Sequence, residues 1–151
     1  MPYRSKTVAA WLALTGGVLG LHRLYLHGLR DRLAWLYWLP TAAGLTGVAR
    51  LRNLGQDDPV AWLLIPVLGL TISAVMLTAI VYALTPDDRW DSRHNPGQTG
   101  AAAGWGAVLA AIAALLLGGA TLMGTVAYSG QKYFEWELQA AQARAIAAPA
   151  R

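Results

Sequence analysis

Residues 16–28 read GGVLGLHRLYLHG, and their reading decides how the first third of the chain folds. The run is apolar as far as Leu21 and then turns polar through His22, Arg23, Tyr25 and His27. A helix carried through residue 25 stacks Leu21 on Tyr25 and sets His22 beside Tyr25, because residues three and four apart share a helix face. Arg23 and His27 are paired in the same way. The stretch is therefore read as the end of a membrane helix, with a partly cationic cluster at one surface. Gly28 then lets the chain turn, and Arg30, Asp31 and Arg32 form a charged tip to a helical hairpin.

Composition supports a membrane setting. Of 151 residues, 56% are hydrophobic and 13% charged, where soluble domains carry about 25% charged residues. The chain has no cysteine, which excludes disulfides, thiolate chemistry and cysteine-ligated metals. The formal charge of +4 is scattered over segment ends. That pattern anchors a membrane protein and is not a nucleic-acid footprint. Arg4 and Lys6 precede an apolar run as in a secretory signal, but no convincing small-x-small site follows, so the run is expected to be retained as the first helix.

Four segments approach the roughly 20 apolar residues that a crossing needs. They lie at about 7–26, 33–50, 60–85 and 101–128, the last starting near Trp105. The second is the weakest, interrupted by Pro40, Gly44 and Gly47. Asp58 is placed to cap the third, and Pro59 fits its first turn. In the first, His22 and Arg23 must snorkel at the membrane edge. Trp and Tyr residues cluster near segment ends, as they do at membrane interfaces. Residues 86–99, PDDRWDSRHNPGQT, read as a polar loop closed by a turn at Asn95-Pro96-Gly97. The fold class expected is thus an all-α integral membrane protein of four transmembrane helices. Residues 1–52 form a first hairpin, 53–128 a second pair and 129–151 a helical tail, with both termini on one side. The tail carries Phe134, Leu138, Ala141 and Ala145 on one face, and continues the fourth helix or lies at the interface.

Gly106, Ala110, Ala114 and Gly118, preceded in register by Ala102, recur every four residues, and Gly16 and Gly20 do the same in the first helix. Such strips let membrane helices approach closely. The partner is a helix of this chain or of another copy.

Arg4-Ser5-Lys6, then Gly16-Gly17-x-x-Gly20-x-His22-Arg23-x-Tyr25-Leu26 and Gly28, resembles the TM-2 (transmembrane-two) domain family over about residues 3–50. Leu24 stands where the family pattern has Phe, and His27 is inserted before the glycine. The resemblance implies a two-helix membrane module and makes Arg23 the residue of most interest, with His22 and Tyr25 beside it and Gly28 closing the motif. It implies no biochemical activity.

Other chemistry is thin. His22 and His27 are five apart with no acid between them, a poor metal pair. Asp87, Asp88, Asp91 and His94 match no catalytic spacing, although the acidic segment could meet Arg23, Arg30 and Arg32. The expected spans hold no Asp, Glu or Lys, unlike most transporters. The expectation is a small multi-pass protein of a bacterial inner membrane. It takes no cofactor or metal and no nucleic acid, and acts by helix packing with a membrane partner or copies of itself rather than by catalysis. Lipid is the other expected partner. A transporter or pore component is the alternative, and a lipid-headgroup enzyme comes third. The Arg4-x-Lys6 pair favours both termini inside.

Overall fold

The computed structural model describes residues 3–98, 100 and 102–147, and its axis is the helix formed by the uncharged run after Asp58. This helix, Pro59–Leu84, is called α5 in chain order. At 1.5 Å per residue it is about 39 Å long, more than the roughly 30 Å of a hydrocarbon core. Its start follows the expectation: the Asp58 carboxylate accepts the Ala61 N–H at 3.2 Å, and Pro59 occupies the first turn, where its missing N–H costs nothing. The last helix, α7, runs Trp105–Ala147 antiparallel to α5, and the described part of the tail simply continues it. Gly118 lies against Met76 and Gly69 against Thr125, and Lys132 sits 5.1 Å over the Trp62 ring. Helices α5 and α7 are both long and apolar enough to cross a membrane.

The first segment departs from its reading as one helix over 7–26. Helix α1 is only Lys6–Gly16, about 16 Å. A 3-10 turn follows at Gly17–Leu19, and Gly20 adopts φ +73°. The chain then reverses into α2, Leu21–His27. Two contacts fix the reversal. The Tyr25 hydroxyl accepts the Ser5 N–H at 2.9 Å, so the far end of α2 meets the start of α1. Leu26 packs with Ala9. The physical reason is Gly20: a left-handed residue cannot continue a right-handed helix. The spacing of Gly16 and Gly20 suits close packing as well as a turn, and here they belong to a turn.

The second segment is also in two pieces, α3 at Arg32–Leu36 and α4 at Trp38–Leu54. Pro40 lies in the first turn of α4 and breaks nothing. Helix α4 runs antiparallel to the first half of α5. A Cβ at Gly47 would stand 2.7 Å from the Leu64 Cβ, and one at Gly44 would overlap Leu68. Helix α1 packs on the second half of α5, where Gly17 meets Val75 and Ala13 joins Val75, Met76 and Ala79 in one buried cluster. Leu64, Leu68, Val75 and Ala79 fall on one side of α5 at 100° per residue. Helices α4 and α1 therefore lie end to end along the same stripe. The Thr41 hydroxyl joins them, donating to the Val18 carbonyl at 2.7 Å.

The turns from α2 to α3 and from α4 to α5 are built alike. In each, a glycine with positive φ, Gly28 at +81° and Gly55 at +89°, donates its N–H to the carbonyl four residues back. An arginine, Arg23 or Arg50, bonds through Nε to a carboxylate eight residues on, Asp31 at 2.8 Å or Asp58 at 2.7 Å. That aspartate caps the next helix. A tryptophan, Trp35 or Trp62, donates its indole N–H to the residue after the glycine, Leu29 or Gln56. The sequence carries the match as R-x4-G-x2-D-x2-A-W at 23–35 and 50–62.

Residues 86–99, expected as a loop, contain a further helix, α6, over Asp87–His94. Asp87 and Asp88 at its start and Arg93 and His94 at its end complement the helix dipole. The Asn95 turn forms beyond it, with the Gln98 N–H donating to the Asn95 carbonyl at 3.0 Å. Ala102, the first member of the small-residue strip, precedes α7 and is exposed. The termini also differ from expectation. Lys6 bonds the Thr85 carbonyl at one end of α5, whereas Lys132 lies over Trp62 at the other. The first and last described segments therefore lie at opposite ends of the bundle, because the α1–α2 pair turns back where a crossing was expected.

Candidate functional site

The motif residues gather where α2, the end of α5 and α6 meet. Helix α6 also clamps the N-terminal segment. The buried Trp90 donates its indole N–H to the Arg4 carbonyl at 2.8 Å, and the Asn95 side chain accepts the Arg4 N–H and donates to the Arg4 carbonyl. Tyr3 bonds Asp91 at 3.0 Å. Lys6 pairs with Asp87 at 2.6 Å and is itself buried. This lysine, expected as a surface anchor, is an internal tie. The Lys6 hydrogen bond and the Ala103 N–H hold the Asp87 carboxyl below the ordinary range.

Each motif side chain has a distinct place. His22, expected to snorkel, is 1% exposed. Its ring packs edge-on to Tyr37 at 5.4 Å and tilted to Tyr82 at 5.9 Å. Its Nδ1 has no partner among the described residues. Burial wins over snorkelling because the α2 reversal turns His22 inward, onto Tyr37 at the α3–α4 junction and Tyr82 of α5. Tyr25 is spent on the start of α1, where its hydroxyl satisfies an N–H that the helix leaves open. Gly28 supplies the positive φ of the turn and faces open space. Arg23 is different. Nε is committed to Asp31, but the side chain is partly exposed and opens onto a cavity.

That cavity, of about 410 Å³, lies between α2, the last turn of α5 and α6. Arg23 and His27 line it from α2 and Arg89 and Arg93 from α6, with Tyr82 and Trp90 also in the lining. His94 stacks on Trp90 with ring centres 4.2 Å apart, and burial holds its imidazole below the ordinary range. Asp31 stands beside Arg23 and within 3.7 Å of His27. Burial pushes the Asp31 carboxyl up, but the bonds from Arg23 and the Leu33 N–H outweigh it and leave it low. The acidic segment meets the N-terminus: Asp87 takes Lys6 while Arg23 takes Asp31. The missed members of the site are Arg89 and Arg93. Their i,i+4 spacing was the available signal, and it needed α6 to be recognised as a helix.

The small residues lie within the chain's own packing. Gly106 meets Thr7, and its carbonyl accepts the Trp11 indole N–H at 3.1 Å. Ala110 and Ala114 are fully buried against α1 and α5. Gly118 lies 2.7 Å, measured from an added Cβ, from the Met76 side chain. At Gly16 a Cβ would overlap Leu21, and at Gly20 it would stand 2.5 Å from the Ala34 carbonyl oxygen.

The described residues are helical without strands, and two apolar helices long enough to cross a membrane, with a short reversed helix pair packed under a polar one, suggest a membrane protein. Residues 2–54, the segment that holds α1 through α4, match the family model of the TM2 domain. No curated protein matches the chain, and no solved structure does.

Proposed function

We propose that the protein is a multi-pass component of a bacterial inner membrane that acts by packing against a membrane partner or a second copy, rather than by catalysis. Helices α3–α4, α5 and α7 are the crossings in this reading, and the α1–α2 pair enters from one side and returns. One observation carries the packing role. Beyond Gly118, α7 packs on α5, and the two helices form an apolar groove of about 380 Å³ that includes Leu70, Leu77, Gly119 and Leu122. Gly119 has open space where a Cβ would be. Small residues beside an apolar groove are what membrane helices use to approach one another. The non-catalytic reading is supported by how the polar side chains are used: Arg23–Asp31, Arg50–Asp58 and Lys6–Asp87 are ion pairs that hold turns and ends.

Native mass spectrometry of the protein drawn from its own membrane tests this, with Gly119→Leu beside the wild type. A dimer or a second protein held by the wild type and lost in the variant is the expected result. A wild type that is always alone with lipid, or a complex that Gly119→Leu leaves unchanged, overturns it.

A further inference from the structure

We infer that the cavity between α2, α5 and α6 binds a phosphate anion, as the headgroup of an acidic phospholipid or as free phosphate. Three observations meet there. First, the charge is of one sign. Arg23, Arg89 and Arg93 line the cavity, and no carboxylate does among the described residues. Helix α6 sorts its charges by face. Asp87 and Asp91 turn to the N-terminal segment, bonding Lys6 and Tyr3, while Arg89 and Arg93 lie on the opposite side at 100° per residue. Second, these cations are available. Arg89 and Arg93 are exposed and have no ion pair among the described residues. Arg23 gives Nε to Asp31, so its terminal nitrogens remain to bond a ligand while Asp31 fixes the guanidinium plane. Planar guanidinium groups bind phosphate through paired N–H donors more strongly than a point charge does. Third, the level is right. The cavity opens where the apolar run of α5 ends and polar α6 begins, with Tyr82 and Trp90 in its lining, the aromatic pair typical of a headgroup layer.

This site is separate from the α5–α7 groove, so it can fail without that proposal failing. The lipid source rests on the membrane reading, and the free-phosphate source does not. The test uses the full chain in nanodiscs of phosphatidylcholine with a minor share of phosphatidylglycerol. Native mass spectrometry counts the phosphatidylglycerol that stays bound. In parallel, inorganic phosphate is titrated against thermal unfolding in nanodiscs of phosphatidylcholine alone. The variants are Arg89→Gln with Arg93→Gln, and, as a control for general surface charge, Arg30→Gln with Arg32→Gln. Losing two charge-assisted contacts should weaken retention at least about tenfold, while the control pair keeps it. Retained phosphatidylglycerol lost in R89Q/R93Q identifies a lipid headgroup. Phosphate-dependent stabilisation lost in R89Q/R93Q, with no lipid preference, identifies free phosphate. The inference is overturned if the wild type prefers neither anion, if R89Q/R93Q binds as the wild type does, or if R30Q/R32Q loses binding equally.

Discussion

At Gly20 the backbone has φ +73°, and an added methyl group would stand 2.5 Å from the Ala34 carbonyl oxygen. Gly28 has φ +81° with nothing near it. The two therefore differ in what an alanine would cost. Gly28→Ala carries only the backbone penalty of a glycine-type conformation, about 1–3 kcal/mol. Gly20, with ψ 16° against 177° at Gly28, lies in a left-handed region that alanine enters at lower backbone cost, but its alanine must also push α3 away. Denaturant unfolding in mild detergent should rank Gly20→Ala as clearly the more destabilised, and equal losses would contradict the close approach to Ala34. The sequence marks both glycines but not this difference. Four-residue spacing from Gly16 favours packing inside a continuous helix, and only the tertiary fit makes Gly20 a reversal point. His22 shows the same limit. A polar ring near the end of an apolar run reads as interfacial, yet the reversal buries it between Tyr37 and Tyr82.

Between helices, the arginine–aspartate turns make a pH-dependent contribution. The hydrogen bond from Arg50 holds the Asp58 carboxyl below the ordinary range, with the Ala61 N–H adding to it. A carboxyl lowered on folding stabilises the fold above its unfolded value, near 3.9, and that stability is lost as pH falls through the lowered value. In Asp58→Asn this share is absent at every pH. Thermal unfolding should therefore show a gap between wild type and Asp58→Asn above about pH 4 that narrows on further acidification. A gap independent of pH would mean that the carboxylate is not the stabilising group. The signal for these turns was present in the chain as the repeated R-x4-G-x2-D-x2-A-W, but hydropathy does not see it because it straddles the segment ends. Helix α6 was hidden for a related reason. DDRWDSRH holds one apolar residue, Trp90, too few to show a repeat, and its signature is acid at the start and base at the end.

For the molecule as a whole, helices α5 and α7 are legible because each needs only length and apolarity. The number of helices before α5 is not, since α1 and α4 share one stripe of α5 end to end and neither fact is local. The consequence is a topology that a cysteine-free chain makes simple to probe. Single cysteines at Ser5, Ser92, Gln56 and Gln139 can be labelled in sealed vesicles with a membrane-impermeant maleimide. Ser5→Cys and Ser92→Cys should react from one side, and Gln56→Cys and Gln139→Cys from the other. Labelling of Ser5→Cys and Gln139→Cys from the same side would restore a four-crossing path.

The paired turns also bear on how the chain is made. Each is closed by bonds between residues no more than eight apart, Arg23 to Asp31 and Arg50 to Asp58, so each can set as soon as its own segment has left the ribosome. Local contacts of this kind form early because little loop entropy opposes them. The join between Trp11 and Gly106 spans 95 residues and must wait for α7. Synthesis thus delivers a folded helical scaffold first, with the face of α1 that α7 will cover left open until the last helix arrives.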